Sequence, residues 1–432
     1  MIFKTRLLFL FTLFLLNTTG VFSQTDVYLK VYQKTFQRME IDLYPMVGES
    51  RGKASEIITG LITEVLRNDL WMSGYFKVNI KAGAPQLQDA ASRNSTDGGS
   101  KALAAVAGKF QFHHNSMTIQ PHVVDIASRR TIIKNDYTDR IEQARYLVHK
   151  ISDDIVYSLT GEQGIATSKI AFVRQKKDGS KEIAVMDYDG QNLKEVTFDK
   201  SINLSPAWSS DGRKICYTSY KDGNLNLFVM NLQTNTQTRI SNLPGLNSAP
   251  AWSPDGRRIA LTLSKDDNAE IYLLEVEKNK YRRLTYNHAI DSSPTWSPSN
   301  REMAFTSDRS GSPQIYIMDS DGLNVRRLTF EGSYNDSPSW SPRGDKIAFV
   351  SRTESGFDIY TIDVTGENLM RLTDSSSSNE DPSWSPNGFS LIFSSTRSGK
   401  KELYSMFWDG TDQKKIISSG INYLPAWSPH LN

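Results

Sequence analysis

The chain has 432 residues, with 50 Lys and Arg against 48 Asp and Glu, six His and one Cys. That length accommodates two or three domains, and the near-neutral balance argues against a nucleic-acid partner, because phosphate binding leaves a basic excess on a domain. The lone cysteine, Cys216, excludes an internal disulfide, and in the setting Lys-Ile-Cys-Tyr-Thr it reads as a small buried side chain in a strand.

Lys4 and Arg6 precede the apolar run Leu7–Leu16, and Val21-Phe22-Ser23 follow. A basic start, a short apolar core and compact residues before a cut describe a cleavable secretory signal over residues 1–23. The run is too short to cross a bilayer of about 30 Å as a permanent helix. Residue 24 is Gln, so no lipid-accepting Cys follows the cut. The remaining chain shows no long apolar stretch and is expected to carry no membrane span. Removing the two cations of the signal from the 50 leaves 48 basic against 48 acidic residues.

Residues 24–160 carry no repeat and read as a small α+β domain. Met39–Tyr44 alternates like a strand, and Ile57, Ile58, Leu61, Ile62, Val65 and Leu66 form one stripe of a helix over Lys53–Leu70. Tyr75–Ile80 reads as a strand, and Lys81–Ser100 as a loop rich in small residues. Strands follow at Ala104–Phe112, Met117–Asp125 and Thr131–Asp136, then a second amphipathic helix over Arg140–Leu159 with Gly161 as its stop. Residues 161–168 form a linker. Gly48-Glu-Ser-Arg-Gly52 matches the nucleophile-elbow pattern, but that chemistry needs a large parallel sheet with a downstream acid and His, so it reads as a loop opening the helix. His113, His114 and His122 lack the spacing of a zinc site.

The rest of the chain, 169–432, is a repeat. Trp recurs at 208, 252, 296, 340, 384 and 427, always with Pro two residues before and Ser after. A second series, Ile183, Leu227, Ile271, Ile315, Ile359 and Leu403, steps by 44 throughout. Around Trp252 the unit reads as strands Ala249–Trp252, Arg258–Thr262, Ile271–Leu274 and Arg283–Thr285, with a Ser-Pro-Asp-Gly turn after the first. Four strands per repeat of this length is the signature of a propeller blade. The first unit begins at its second strand, Lys169–Val173, and the chain stops just after the sixth Pro-x-Trp. The terminal strand is therefore expected to complete the first blade, closing a six-bladed ring without an open edge. The fold class is mainly β: a six-bladed β-propeller behind a small α+β domain.

Three residues before each Pro stand Asn203, Asn247, Asp291, Asn335, Asn379 and Asn422. On innermost strands they are expected to form a polar ring near one mouth of the channel, or to cap the turn entering each strand. Two before each Pro stand Leu204, Ser248, Ser292, Asp336, Glu380 and Tyr423, a rim position that varies between matched repeats as a partner-binding surface would. Asp291, Asp336, Glu380 and Asp381 make one side acidic, which suits a divalent cation or a basic peptide group. The ring's only histidines are His288 and His430, so acid–base catalysis is poorly equipped and no cofactor is implied. Readings kept beside an interaction protein are a propeller hydrolase or lyase and a scaffold propeller.

An exported α/β domain, the junction Leu159-Thr160-Gly161, the opening strand Lys169–Val173, repeated Pro-x-Trp-Ser units (one continuing as Pro-Asp-Gly) and the ending Pro425–Asn432 together resemble the TolB family of the Tol-Pal envelope system. The resemblance implies a monomeric, non-enzymatic periplasmic protein. Its partners would be a Pal-like lipoprotein and a TolA-like inner-membrane protein, in support of outer-membrane integrity and constriction at division. It places Leu246, Asn247, Ala249, Asp291 and Ser292 in the lipoprotein-facing loops. The same resemblance assigns the segment from Gln24 to Lys34, which begins Gln24, Thr25, Asp26, Val27 and Tyr28, to the inner-membrane partner.

Overall fold

A computed structural model describes residues 37–50, 52–83, 101–374 and 377–431. The expected signal at 1–23, the segment Gln24–Lys34 and most of the loop before residue 101 lie outside them. Arg38 onward forms one compact unit.

Its first part is a mixed sheet covered by two helices. The strands are β1 (Met39–Leu43), β2 (Val47–Gly48), β3 (Phe76–Ile80), β4 (Ala104–His113), β5 (Ser116–Asp125), β6 (Thr131–Ile133) and β7 (Tyr137–Arg140). Helix α1 (Lys53–Met72) links β1 to β3, which pair in parallel, and β4 pairs with the other side of β1. Helix α2 (Ala144–Thr160) follows β7. The apolar stripe of α1 (Ile62, Val65, Leu66, Leu70) meets Ile41, Leu43 and Phe76 of the sheet and Val148, Ile151 and Ile155 of α2 in one core. Gly161 ends α2 in the left-handed region at φ 77°, its N–H bonding Tyr157 O at 2.8 Å.

Two boundaries of this part differ from the sequence reading by more than two residues. The strand expected over Thr131–Asp136 stops at Ile133, and Tyr137–Arg140 is a separate strand beside β5. Arg140 is still paired with Ser116 and extended, so α2 starts only at Ala144, after a 3-10 turn.

The second part is six four-stranded antiparallel sheets. The strand Ile421–Trp427 pairs with Lys169–Gln175, placing Trp427 opposite Ile170, and its indole N–H donates to Ser168 Oγ at 2.9 Å. The last strand thus completes blade 1, as the repeat phase requires. Ile183, Leu227, Ile271, Ile315, Ile359 and Leu403 are fully buried in the third strands, packed from both faces by neighbouring blades. Several of the repeated Trp tie adjacent blades: Trp208 Nε1 donates to Ala426 O (2.9 Å), Trp296 to Ala251 O (3.1 Å) and Trp384 to Ser339 O (3.0 Å). Around Trp252 the fourth strand is Lys280–Arg283 rather than Arg283–Thr285. The chain leaves the ladder there because the Thr285 hydroxyl itself takes the N–H of Ile271, at 2.9 Å.

The start of a first strand, the end of a second, the start of a third and the end of a fourth all lie at one end of each blade. The opposite end of the ring carries the α/β part. There Trp71 Nε1 donates to Asp412 (2.9 Å), Asn387 Nδ2 to Ser73 O (2.9 Å), and Tyr75 meets Phe389 edge-on at 4.9 Å. These contacts reach turns of blade 6, and Tyr188 of blade 1 bonds Asp69 of α1. Among the described residues, these contacts leave the first end open.

Candidate binding site at the open end of the ring

The six Asx residues that open the innermost strands do not line the channel as a solvent-facing ring. Asn203, Asn247, Asp291, Asn335, Asn379 and Asn422 are at most 1 % exposed, and their side chains turn back into the blades. Asn203 Nδ2 donates to Glu182 (2.9 Å), Asn335 to Gln314 (2.8 Å) and Asn379 to Asp358 (2.9 Å). The acceptors belong to a buried polar series at the starts of the third strands, Glu182, Asn226, Glu270, Gln314, Asp358 and Glu402, again 44 residues apart. Thr197, Thr329 and Thr373 donate to Glu182, Gln314 and Asp358 at 2.6–2.8 Å. Asn247 instead bonds backbone carbonyls of Leu225 and Leu243, and Asp291 is held by Arg309 (2.8 Å) and Asn287 (2.7 Å). Burial pushes the Asp291 carboxyl up from its ordinary range, opposed by Ser307 and Arg309. Desolvated polar groups need partners; Asn247, Asn335, Asn379 and Asn422 also cap the loop entering their strands through Leu243 O, Glu331 O, Ser377 O and Ser419 O, whereas Asn203 and Asp291 bond side chains instead.

The cause is local. In every innermost strand the residue before the Pro is left-handed: Ser205, Ala249, Ser293, Ser337, Asp381 and Leu424 have φ between 47° and 59°. Each sits in a bulge that breaks the pairing register. A bulge re-aims the side chains beside it, so alternation along the strand does not report which face the Asx residues take.

The varied rim residues Leu204, Ser292, Asp336, Glu380 and Tyr423 are half-buried, and the acids among them are already answered. Asp336 accepts from Thr306 Oγ1 (2.8 Å) and Tyr334 Oη (3.1 Å), Glu380 pairs with Lys401 (2.9 Å), and Asp381 accepts from Ser394 Oγ (2.6 Å). Burial raises the pKa of Asp381, against Ser394 and Lys401. Tyr423 lies between Lys181 and Lys401, 5.7 and 5.6 Å from its ring. These acids do not converge on a cation. Among the described residues, the group with ligand atoms within 4.8 Å of one another is His149, Asp187 and Asp189, at the covered end. Arg145 and Lys169 already neutralise those two carboxylates, so it offers no vacant anionic pocket.

The open end also exposes an apolar arc that the sequence reading missed, apart from Leu246. Phe198, Tyr286 and Phe330 follow the last strands of blades 1, 3 and 4, and Ile202, Leu246 and Ile290 precede the first strands of blades 2, 3 and 4. Their exposure runs from 38 % at Ile202 to 74 % at Phe330. The guanidinium of Arg283 stacks on Tyr286 at 4.7 Å and that of Arg327 on Phe330 at 4.9 Å. Arg283 is fixed by Glu270 (2.8 Å) and Arg327 by Thr329 O (2.6 Å). The two exposed rings are thereby held in place. At the matching positions of blades 5 and 6 stand Asp374 and Ser418. The available signal was the side chain after Thr197, Thr285 and Thr329 at the repeat spacing.

The family model described as "TolB beta propeller domain" matches residues 156–431. The chain belongs to the TolB family. It is 44 % identical over 160 residues to a Tol-Pal system protein TolB of Geobacter metallireducens, spanning 35 % of this chain and 36 % of that one. To the protein of the same name in Desulfosudis oleivorans it is 37 % identical over 227 residues, half of each chain. The alignments thus span between about a third and a half of these curated relatives' length. The crystal structure of TolB from Acinetobacter baumannii matches 91 % of this chain and 97 % of its own at 28 % identity, with a TM-score of 0.76. Among the described residues no helix is long and apolar enough to cross a membrane.

Proposed function

We propose that this chain is the propeller component of a Tol-Pal system, a non-enzymatic periplasmic protein. Its open end would bind a Pal-like lipoprotein, and Gln24–Lys34 would engage a TolA-like inner-membrane protein. The observation that carries the reading is the exposed arc of Phe198, Ile202, Leu246, Tyr286, Ile290 and Phe330, at the end of the ring the α/β part leaves bare. The names of its relatives, Tol-Pal system protein TolB, point the same way. Half-buried Leu204, Ala249, Ser292, Asp336, Glu380, Asp381 and Tyr423 form the inner wall of this socket. Buried Asn247, Asp291 and Asn335 shape it from behind.

The action is mechanical. A rigid ring loses little conformational entropy on binding, and aromatic anchors supply most of an interface's energy. Pal held by the ring is kept off the cell wall, and a pull on the N-terminal segment releases it where the outer membrane constricts. Calorimetric titration of the full chain with the soluble domain of a Pal-like lipoprotein tests this. Binding is expected, weakened about tenfold or more by Tyr286→Ala with Phe330→Ala. No heat of binding, or equal affinity in the double variant, overturns it.

A further inference from the structure

A buried charge cluster joins α1, α2 and blade 1 at the covered end. His149 of α2 is 1 % exposed. Its Nδ1 lies 2.8 Å from Asp69 Oδ2 of α1. Its Nε2 faces Asp189 Oδ2 of blade 1 at 3.6 Å, beyond hydrogen-bond range, and has no hydrogen-bond partner. Asp69 also accepts from Ser152 Oγ (2.8 Å) and Tyr188 Oη (2.5 Å). Arg145 pairs with Asp189, Lys169 with Asp187, and Lys414 approaches through Asn68. Asp153, one turn along α2, is tied to the N–H groups of Ala166 and Thr167.

With Nδ1–H on Asp69, a neutral imidazole would turn its Nε2 lone pair toward the Asp189 carboxylate, in a place closed to water. A charged imidazolium instead directs a proton at each carboxylate, one from the α/β part and one from the propeller. We propose that charged His149 clamps the α/β part to blade 1, and that deprotonation loosens this contact. Burial pulls the His149 pKa down, but Asp69 and then Asp189 outweigh it against Arg145, leaving it above its ordinary value. A base with a raised folded pKa stabilises fully below its unfolded value, about 6.5. That stabilisation is lost as pH rises through the folded value. Asp153 titrates earlier: burial lifts it to about 6, opposed by its bonds to Thr167 and Ala166. A carboxyl raised in this way loses stability between its ordinary range and that value, below the His149 window.

The test follows the His149 ring by NMR and hydrogen exchange in residues 66–75 and 186–193 of the full chain, from acid to mildly alkaline pH. His149 is expected to titrate above the ordinary histidine range. Protection at both segments should fall about tenfold for each unit of that displacement. His149→Gln should show the weaker protection at every pH, and Asp153→Asn should retain the fall. A His149 pKa at or below the ordinary value, or protection unchanged across its titration, overturns the proposal on the wild-type chain alone.

Discussion

The two ends of the ring are built from the same repeat and finish in opposite ways. At the open end the polar side chains are folded into the blades, as Asn335 is onto Gln314, while Phe198, Tyr286 and Phe330 stand in solvent. At the covered end the apolar groups Trp71, Tyr75, Phe389 and Phe407 meet each other, and a charged cluster around Asp69 and His149 is sealed inside. The blade core fixes the strands but leaves the connections at either end free to vary. One repeat can therefore expose an apolar arc on one side and carry the α/β part on the other.

The first way to break this comparison is to open the ring, since both ends then fail together. Trp427→Ala removes the side chain beside Ile170 and is expected to lose about 3–5 kcal/mol of stability, read from the urea midpoint. A change confined to the covered end should separate the two. Asp69→Asn leaves His149, Tyr188 and Ser152 without their carboxylate and should cost about 2–3 kcal/mol, while affinity for the Pal-like domain stays unchanged in calorimetry. Within the open end itself, Asn335→Ala deletes a buried cap and should cost about 1–2 kcal/mol in denaturant unfolding. Phe330→Ala should change stability by less than about 0.5 kcal/mol and act on binding. A similarly small effect on stability is expected at the Glu380–Lys401 pair, both partly exposed. There Glu380→Gln should shift stability by at most about 1 kcal/mol, less in high salt.

The ring was legible because Pro-x-Trp and the third-strand aliphatics keep one phase, and because the first repeat opens at a second strand while the sixth Pro-x-Trp marks a first strand that pairs with it. The helices of the α/β part were legible from their apolar stripes. The mouth was only partly so. Pattern placed the right residues on the innermost strands, but a bulge at Ala249 and its five equivalents decides which way Asn247 and its counterparts turn, and no residue there announces a positive φ. The arc at Tyr286 and Phe330 follows the outermost strands, away from the varied position that precedes each Pro. Asp69 and Tyr188 meet across 119 residues with no motif between them.

Hydrogen exchange of the full chain, alone and saturated with the soluble domain of a Pal-like lipoprotein, addresses the open end as a socket most directly. Residues 196–202, 242–246, 286–290 and 330–334 should gain protection in the complex. A complex that forms while all four loops exchange as freely as before would contradict the account.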